Sequence, residues 1–395
     1  MISPGDIDRG GRLLPQTTVD VDLGVLARNV RALKGLASGS TRFMAVVKAN
    51  AYGHGAVPVA KTALANGADF LAVARISEAV TLRQAGIDAP VLLFGDVLPD
   101  QAAYMAANDI RATITDIETA RTLSAGLMRQ PLKVHIKIDT GMGRLGFVHS
   151  PHDGNACLIE DILAVHALEG LDVEGIYTHL SKADERDKTH AREQVGQFRQ
   201  LLGQLAEKGF APKLRHAANS AGLIELPESH FDMVRPGIAL YGLRPSPEVD
   251  ISKTGLEPVM RIRSKIIQVK QVPKGFGVSY GATHVTPSPT TIATIPIGYA
   301  DGYSRQHSNC GIMLVRGQKA GVVGRVCMDF TMIDVGHIAG AAPGDEVVIM
   351  GVQEKEEISA DIIAELTNTI NYEVTAGLTG RMPRRYLNTE NSHDI

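Results

Sequence analysis

The sequence predicts an α/β protein, an N-terminal (β/α)8 TIM-type barrel followed by a mainly β C-terminal domain. Three observations predict it. Between Thr17 and about Gly242, short apolar runs alternate with amphipathic stretches of helical period. Eight of these runs, spread over roughly 230 residues, suit a closed parallel barrel better than an open sheet. Beyond Arg244 the pattern becomes one of β-type runs cut by Pro-Lys-Gly, Arg-Gly and Pro-Gly-Asp turns.

Taken in order, residues 1–12 read as a flexible leader, 13–245 as the barrel and 246–395 as the β domain. Residues 17–21 form an extended piece, and Asp22 is placed to cap a helix reaching Leu33. The eight barrel strands are expected at 43–48, 70–74, 91–94, 111–114, 133–139, 175–179, 214–218 and 234–240. Helices are expected between them at 57–66, 77–85, 101–108, 117–128, 156–168 and 189–208. The proline-rich segment 244–250 reads as a linker. After it, β-type runs occupy 259–272, 291–297, 311–314, 322–328 and 347–350. One helix, capped by Ser359, carries Ile362, Ile363, Leu366 and Ile370, and 388–395 read as a frayed tail.

Composition narrows the function. At 395 residues with 44% hydrophobic and 21% charged, the chain fills two cores. Forty basic against 43 acidic residues, a net charge of −3, offer no field for a nucleic acid or an anionic membrane surface. Cys157, Cys310 and Cys327 are few and odd in number, which points to reduced thiols. No apolar run approaches ~18 residues and the first residues lack an apolar signal core, so a soluble, cytoplasmic protein is expected.

The chemistry centres on residues 42–55, RFMAVVKANAYGHG. Period-2 alternation puts Met44, Val46 and Lys48 on one face, with Lys48 at the carboxyl end of its strand, where barrels place their reactive groups. A desolvated lysine there is a candidate imine-forming amine, because burial disfavours the ammonium. In 133–139, KVHIKID, the residues Lys133, His135, Lys137 and Asp139 share one face and point into the barrel. An interior lysine needs a partner or a modification that removes its charge.

Gly141, Gly143 and Gly146 then spell a dinucleotide-type glycine pattern. The acids that should follow it, Glu160 and Asp161, fall inside a helical pattern instead of ending a second strand. The run therefore reads as a loop that delivers Arg144, whose planar guanidinium suits a carboxylate. His179 ends its strand, and Asn219 and Ser220 open a helical turn. Ser220 with the Gly237 and Ile238 backbone N–H groups makes a phosphate cradle of the kind barrels build after their last two strands, and Arg235 points deeper. His149 and His152 are the only close histidine pair, without convergent acids or thiols; they read as solvent-facing, and no metal is expected. Four of the nine tyrosines, Tyr280, Tyr299, Tyr303 and Tyr372, fall in unusual strings of the second domain, which also holds Val326-Cys-Met-Asp-Phe330.

The strings AVVKANAYGHG, KIDTGMGRLGF, YTHLSKAD, HAANSAG, VRPGIALYG, VSYGA, IPIGYADGY, GRVCMDF and INYEV, in this order, resemble the alanine racemases. The resemblance runs from about residue 19 to 386 and implies a pyridoxal 5'-phosphate enzyme that interconverts L- and D-alanine, supplying D-alanine for peptidoglycan. It implies that Lys48 holds the cofactor and serves as one base, and that Tyr280 of a partner subunit is the other, on the opposite face of the substrate carbon. Arg235 would face the pyridine nitrogen and leave it unprotonated. His179 would hydrogen-bond the catalytic phenol. Tyr52, Ser220, Gly237, Ile238 and Tyr372 match phosphate-binding positions, with Asn219 beside them. Arg144 and the Met328 amide of the partner subunit match contacts to the substrate carboxylate, and Lys137 matches a lysine often carbamylated. Tyr299, Arg305, Arg325 and Asp184 match the lining of an entry channel. A homodimer with shared active sites follows from the same resemblance. A serine-preferring or broader racemase is the alternative. A decarboxylase of basic amino acids would need a cysteine-glycine-acid loop where Cys327 is followed by Met328 and Asp329, and a binding protein of the same barrel would lack the β domain.

Overall fold

The structure is a computed structural model that describes residues 16–95, 97–127, 130–150, 154–252 and 254–388. The leader expected at 1–12, Met128, His152 and the tail after Asn388 lie outside the described residues. Two compact units result.

The first comprises Val25–Ala51 and Gly55–Glu257. Its strands, Arg42–Val46, Phe70–Val73, Val91–Leu93, Ile110–Ile114, Leu132–Asp139, Leu171–Tyr177, Leu214–His216 and Met233–Val234, pair in parallel in that order, and the eighth pairs with the first. The seventh and eighth are joined by single backbone hydrogen bonds, the N–H groups of Asp232 and Arg235 donating to the carbonyls of Arg215 and Ala218 at 2.9 and 3.0 Å. The second and third strands are short and wholly apolar because helices cover their outer face and side chains fill their inner one. In the fifth strand Val134, Ile136 and Ile138 are fully buried, as the alternation requires.

The helices Ala56–Ala65, Ile76–Gln84, Ala102–Ala107, Ile117–Ala125, Ala156–Ala167 and Thr189–Glu207 fall close to their expected places. Two strands differ. The first ends at Val46, two residues before Lys48. The eighth has only two residues, and Ile238–Tyr241 form a 3-10 turn. Pro236 has no N–H for a ladder, and Gly237, at φ −119° and ψ −90°, turns the chain out of the extended region.

The second unit comprises the described residues up to Gly24, Tyr52–His54 and those from Pro258 onward. Its main sheet runs in the order Gln318–Gly321, Ile312–Val315, Glu346–Gln353, Met260–Lys265, Thr18–Asp22, Arg384–Leu387, with Glu356–Ile358 added to the third of these. The N-terminal strand Thr18–Asp22 is thus antiparallel to Met260–Lys265 and parallel to Arg384–Leu387. The run expected at 259–272 is two strands in different sheets, since Gln268–Val272 pairs with Thr290–Ile295. The run expected at 322–328 is not a strand; it makes one bridge, Val322 to Ile333, and then turns. Ser359 caps its helix by accepting from the Ile362 N–H at 3.2 Å. That helix stops at Leu366, and Ile370 precedes a second one, Asn371–Ala376.

The barrel's closing seam generates a prediction. Asp232 accepts from the Arg215 backbone N–H at 2.8 Å and from its guanidinium at 2.6 and 2.8 Å. Burial would raise the Asp232 pKa, but the Arg215 side chain and backbone N–H outweigh it and lower it. Asp232→Ala should cost about 1 kcal/mol in urea unfolding near neutral pH, after discounting for solvent screening. A depressed carboxylate stabilises above its unfolded value of 3.8 and loses that contribution as the pH falls through its folded value, so the difference should close in acid.

Candidate active site

Lys48 stands where the first strand has just ended. The residues after it, Ala49, Asn50 and Ala51, adopt φ of 53°, 52° and 54°, a left-handed turn without a glycine. L-residues resist that conformation, so the surroundings must impose it. The Glu78 carboxylate accepts from the N–H of Ala49 at 2.5 Å and from those of Ala74 and Arg75 at 2.8 and 3.0 Å. Asn50 Oδ1 accepts from the Ala56 N–H at 2.8 Å. Burial, and after it the charge of Arg144, lowers the Lys48 pKa against the pull of Glu78.

Arg144 is carried by the glycine loop. Asp139 gathers that loop by accepting from the backbone N–H groups of Gly141, Met142, Gly143 and Arg144 at 2.7–3.1 Å. All three glycines of the pattern have positive φ, which makes the run a turn and not a helix start. A side chain at Gly146 would meet the Lys137 carbonyl at 2.6 Å. Lys137 is 4% exposed, donates to the Ile138 carbonyl at 3.0 Å and makes no ion pair among the described residues. Burial foremost, then Arg235, lowers its pKa to about 7.

Arg235 is buried, and both of its terminal guanidinium nitrogens are hydrogen-bonded. Its guanidinium donates to His216 Nδ1 at 2.8 Å, to the carbonyls of Thr178 and Ala217 at 2.8 and 3.0 Å, and to His179 Nδ1 at 3.3 Å. Tyr177, its hydroxyl 3.0 Å from Thr113 Oγ1, is pushed up by burial to about 12. His179, whose Nδ1 accepts from Arg235, has its pKa held well below the usual value, first by burial and then by Arg235, Arg144, Lys137 and Lys48. Asn219 is occupied in capping: its Oδ1 accepts from the Gly222 N–H at 2.9 Å and its amide donates to the Leu180 carbonyl at 3.3 Å. Ser220 Oγ accepts from the N–H groups of Gly237 and Ala239 at 2.9 and 3.3 Å, which brings strand-end loops seven and eight together beside Ile238. Asp184 is half-buried on the loop after His179.

In the β unit, Tyr52 and Tyr372 lie with ring centroids 6.1 Å apart. Tyr280 sits in a left-handed kink between the short strands Gly277–Val278 and His284–Val285 and is 71% exposed. Ser279 fixes the kink by donating to the Arg325 carbonyl at 2.6 Å. Tyr299, Met328, Phe330 and Phe276 are exposed too, and the Met328 N–H has no partner among the described residues. A Cβ on Gly298 would lie 2.3 Å from the carbonyls of Cys327 and Met328, so only glycine lets the Tyr299 loop close on that segment. Arg305 is exposed and Arg325 half-buried.

Two sequence expectations are corrected or extended. His149 is not solvent-facing; it is buried, with its Nε2 3.2 Å from the Asn155 side-chain amide. Glu174 and Arg111, not singled out by sequence, form an ion pair at 3.0 Å beneath the site and connect to His135.

The chain thus combines a (β/α)8 barrel, with a desolvated lysine and a buried arginine at its strand ends, and a tyrosine-bearing β unit. The alanine racemase N-terminal domain matches residues 21–245 and the alanine racemase C-terminal domain residues 259–386. The alanine racemase of Desulfosudis oleivorans is 48% identical, covering 94% of this chain and 97% of that protein, and the one of Desulforamulus reducens is 46% identical over 93% and 98%. Among solved structures, alanine racemase of Bacillus anthracis with bound L-Ala-P superposes with TM-score 0.89 at 38% identity, covering 96% and 97%, and that of Clostridium difficile with TM-score 0.89 at 36%, covering 95% and 97%. The chain belongs to the alanine racemase family and is an amino-acid racemase, an isomerase.

The neutral histidines make stability fall in acid. His135, His179 and His216 all have pKa values lowered, foremost by burial. Below pH 6.5 the unfolded chain takes up protons that the fold refuses, so each group removes up to about 1.4 kcal/mol per pH unit until its folded value is reached. Denaturant unfolding should show clearly lower stability at pH 5.5 than at pH 7.5; a flat profile would mean that these imidazoles are charged in the fold.

Proposed function

We propose that the protein interconverts L- and D-alanine with pyridoxal 5'-phosphate, using Lys48 and the partner subunit's Tyr280 as two opposed bases. The observation that carries the proposal is the lowered Lys48 amine at a barrel strand end, in a chain of this family. The donor set fits the cofactor. The amide N–H groups of the eighth-strand loop converge on Ser220 Oγ, and a hydroxyl that accepts two hydrogen bonds keeps its own proton for a phosphate oxygen. Ser220 and the Ile238 N–H would hold the phosphate; the Gly237 N–H is given to Ser220 Oγ, so Gly237, like Tyr52 and Tyr372, is assigned by motif. Asn219, spent on its cap, supports the cradle indirectly. When bound, the cofactor supplies an electron sink for the substrate's α-carbon.

Lys48 would hold the cofactor covalently and exchange a proton on one side of that carbon. Tyr280 would do so on the other, because one base alone tends to return the proton to the face it left. Its exposure, with that of Met328, Tyr299 and Phe330, supports an apolar surface covered by a second copy, hence a homodimer. His179 Nδ1 accepts from Arg235, so its Nε2 carries the proton and suits a phenolate. Arg235, an obligate donor, would keep the pyridine nitrogen unprotonated. Arg144 and the Met328 amide of the partner subunit would take the substrate carboxylate, with Tyr299, Arg305, Arg325 and Asp184 along the entry. Lys137, its pKa lowered to about 7, is in good part a neutral amine near pH 7 and can add carbon dioxide with loss of a proton to give a carbamate, whose negative charge would orient Arg144. No helix among the described residues is long and apolar enough to cross a membrane, and we place the enzyme in the cytoplasm, supplying D-alanine to the cell wall.

Two outcomes test this. Lys48→Ala should abolish turnover and the visible absorbance of lysine-bound cofactor; full activity would refute the assignment. Tyr280→Phe should slow proton exchange from one enantiomer more than from the other, and wild-type rates in both directions would refute the second base. Separately, protein equilibrated with carbon-13 carbon dioxide should show a carbamate resonance that Lys137→Ala lacks.

A further inference from the structure

Beneath Arg235 runs a line of side chains whose hydrogen bonds have one direction. A guanidinium only donates, so His216 Nδ1, 2.8 Å from Arg235, must accept. His216 Nε2 then carries the proton and donates to His135 Nδ1 at 2.8 Å. His135 in turn carries its proton on Nε2, which faces Glu174 Oε2 at 3.2 Å. A carboxylate only accepts, so the far end of the line agrees with the near end. Any other tautomer, or a second proton on either ring, sets donor against donor at one of these distances.

The barrel is shaped around this line. A Cβ on Gly175 would lie 2.7 Å from His135 Nδ1, so the sixth strand carries a glycine where the ring passes. The pairing of strands five and six shifts register between Val134 and His135, at the same level. Tyr177 stacks on the His216 ring, with centroids 4.7 Å apart and planes 4° from parallel. Arg111 Nε holds the Glu174 carboxylate at 3.0 Å and fixes the terminal acceptor.

We propose that Glu174 and His135 are positioning residues for Arg235: by fixing the His216 tautomer they keep an acceptor, and not a donor, against the guanidinium. The proposal rests on the reading above in which Arg235 faces the cofactor's pyridine nitrogen. The line holds charge in place and does not conduct a proton. Burial lowers Arg235 only to about 10, whereas the hydrogen bonds of His135 and Arg111 overcome burial to bring Glu174 to about 2, so transfer from one to the other is steeply uphill. Without the anion at Glu174, His135 loses its bias, His216 becomes free to turn an N–H toward Arg235, and the guanidinium must move.

Nitrogen-15 NMR of histidine-labelled protein without cofactor reads the tautomers independently of catalysis. Wild type should give neutral Nε2–H signatures for both His135 and His216, assigned by loss of the corresponding signal in His135→Gln and His216→Gln. In Glu174→Leu the His216 signature should become mixed, and in the holoenzyme kcat should fall about tenfold with KM for alanine within about twofold, as expected for a group acting through another. Glu174→Gln, which keeps an acceptor oxygen, should recover part of the loss. If Glu174→Leu does not fold, Glu174→Gln against wild type carries the test by the same two readouts. An imidazolium or an Nδ1–H signature in wild type overturns the proposal, and so does an altered tautomer with unaltered kcat. Failure of the racemase reading would show instead as turnover in Lys48→Ala, with the tautomers as described.

Discussion

The constraint on which the barrel depends is the removal of several cationic side chains from water within one small volume. Lys137 and Arg235 are buried, and their charges together with those of Arg144 and Lys48 are felt at His179. Like charges in a low dielectric repel strongly, and the two buried ones, Lys137 and Arg235, also lose their hydration, whereas Lys48 is half-buried and Arg144 exposed. The fold answers in three ways. Its lysines hold their protons loosely, its interior histidines stay neutral, and its nearest anions are already committed, Asp139 to the glycine loop and Glu174 to Arg111 and His135. The reactivity proposed for Lys48 and Lys137 is therefore a consequence of packing: an amine that cannot remain charged becomes a nucleophile.

Backbone geometry around the site follows the same logic. The left-handed turn after Lys48 has no glycine to ease it and is held by Glu78 and Asn50. The kink that presents Tyr280 is held by Ser279 against Arg325. In both cases a side chain outside the proposed chemistry fixes a conformation that the local sequence would not choose.

Much of this was legible in the sequence, for physical reasons. Barrel strands announce themselves as apolar runs, and the alternation in KVHIKID separates the face toward the helices from the face toward the interior, as Ile136 and His135 illustrate. What was hidden was non-local. Glu174 lies just before the strand expected at 175–179, and nothing near it in sequence hints at a histidine thirty-nine residues earlier. Gly175 looks like a weak strand residue until the ring of His135 is seen to need its space. The run at 259–272 reads as one strand because no glycine or proline interrupts its β-type residues, yet its two halves join different sheets. The hydrogen bond of His149 to Asn155 is likewise visible only in the fold.

The central claim is that the amine and the phenol serving one substrate belong to different copies of the chain. Co-expression of Lys48→Ala and Tyr280→Ala chains tests it most directly, since mixed dimers would contain one site with both groups intact. Racemase activity of the isolated mixed dimers well above that of either parent is the predicted result; activity no greater than the parents' would place both groups in the same copy and contradict the claim.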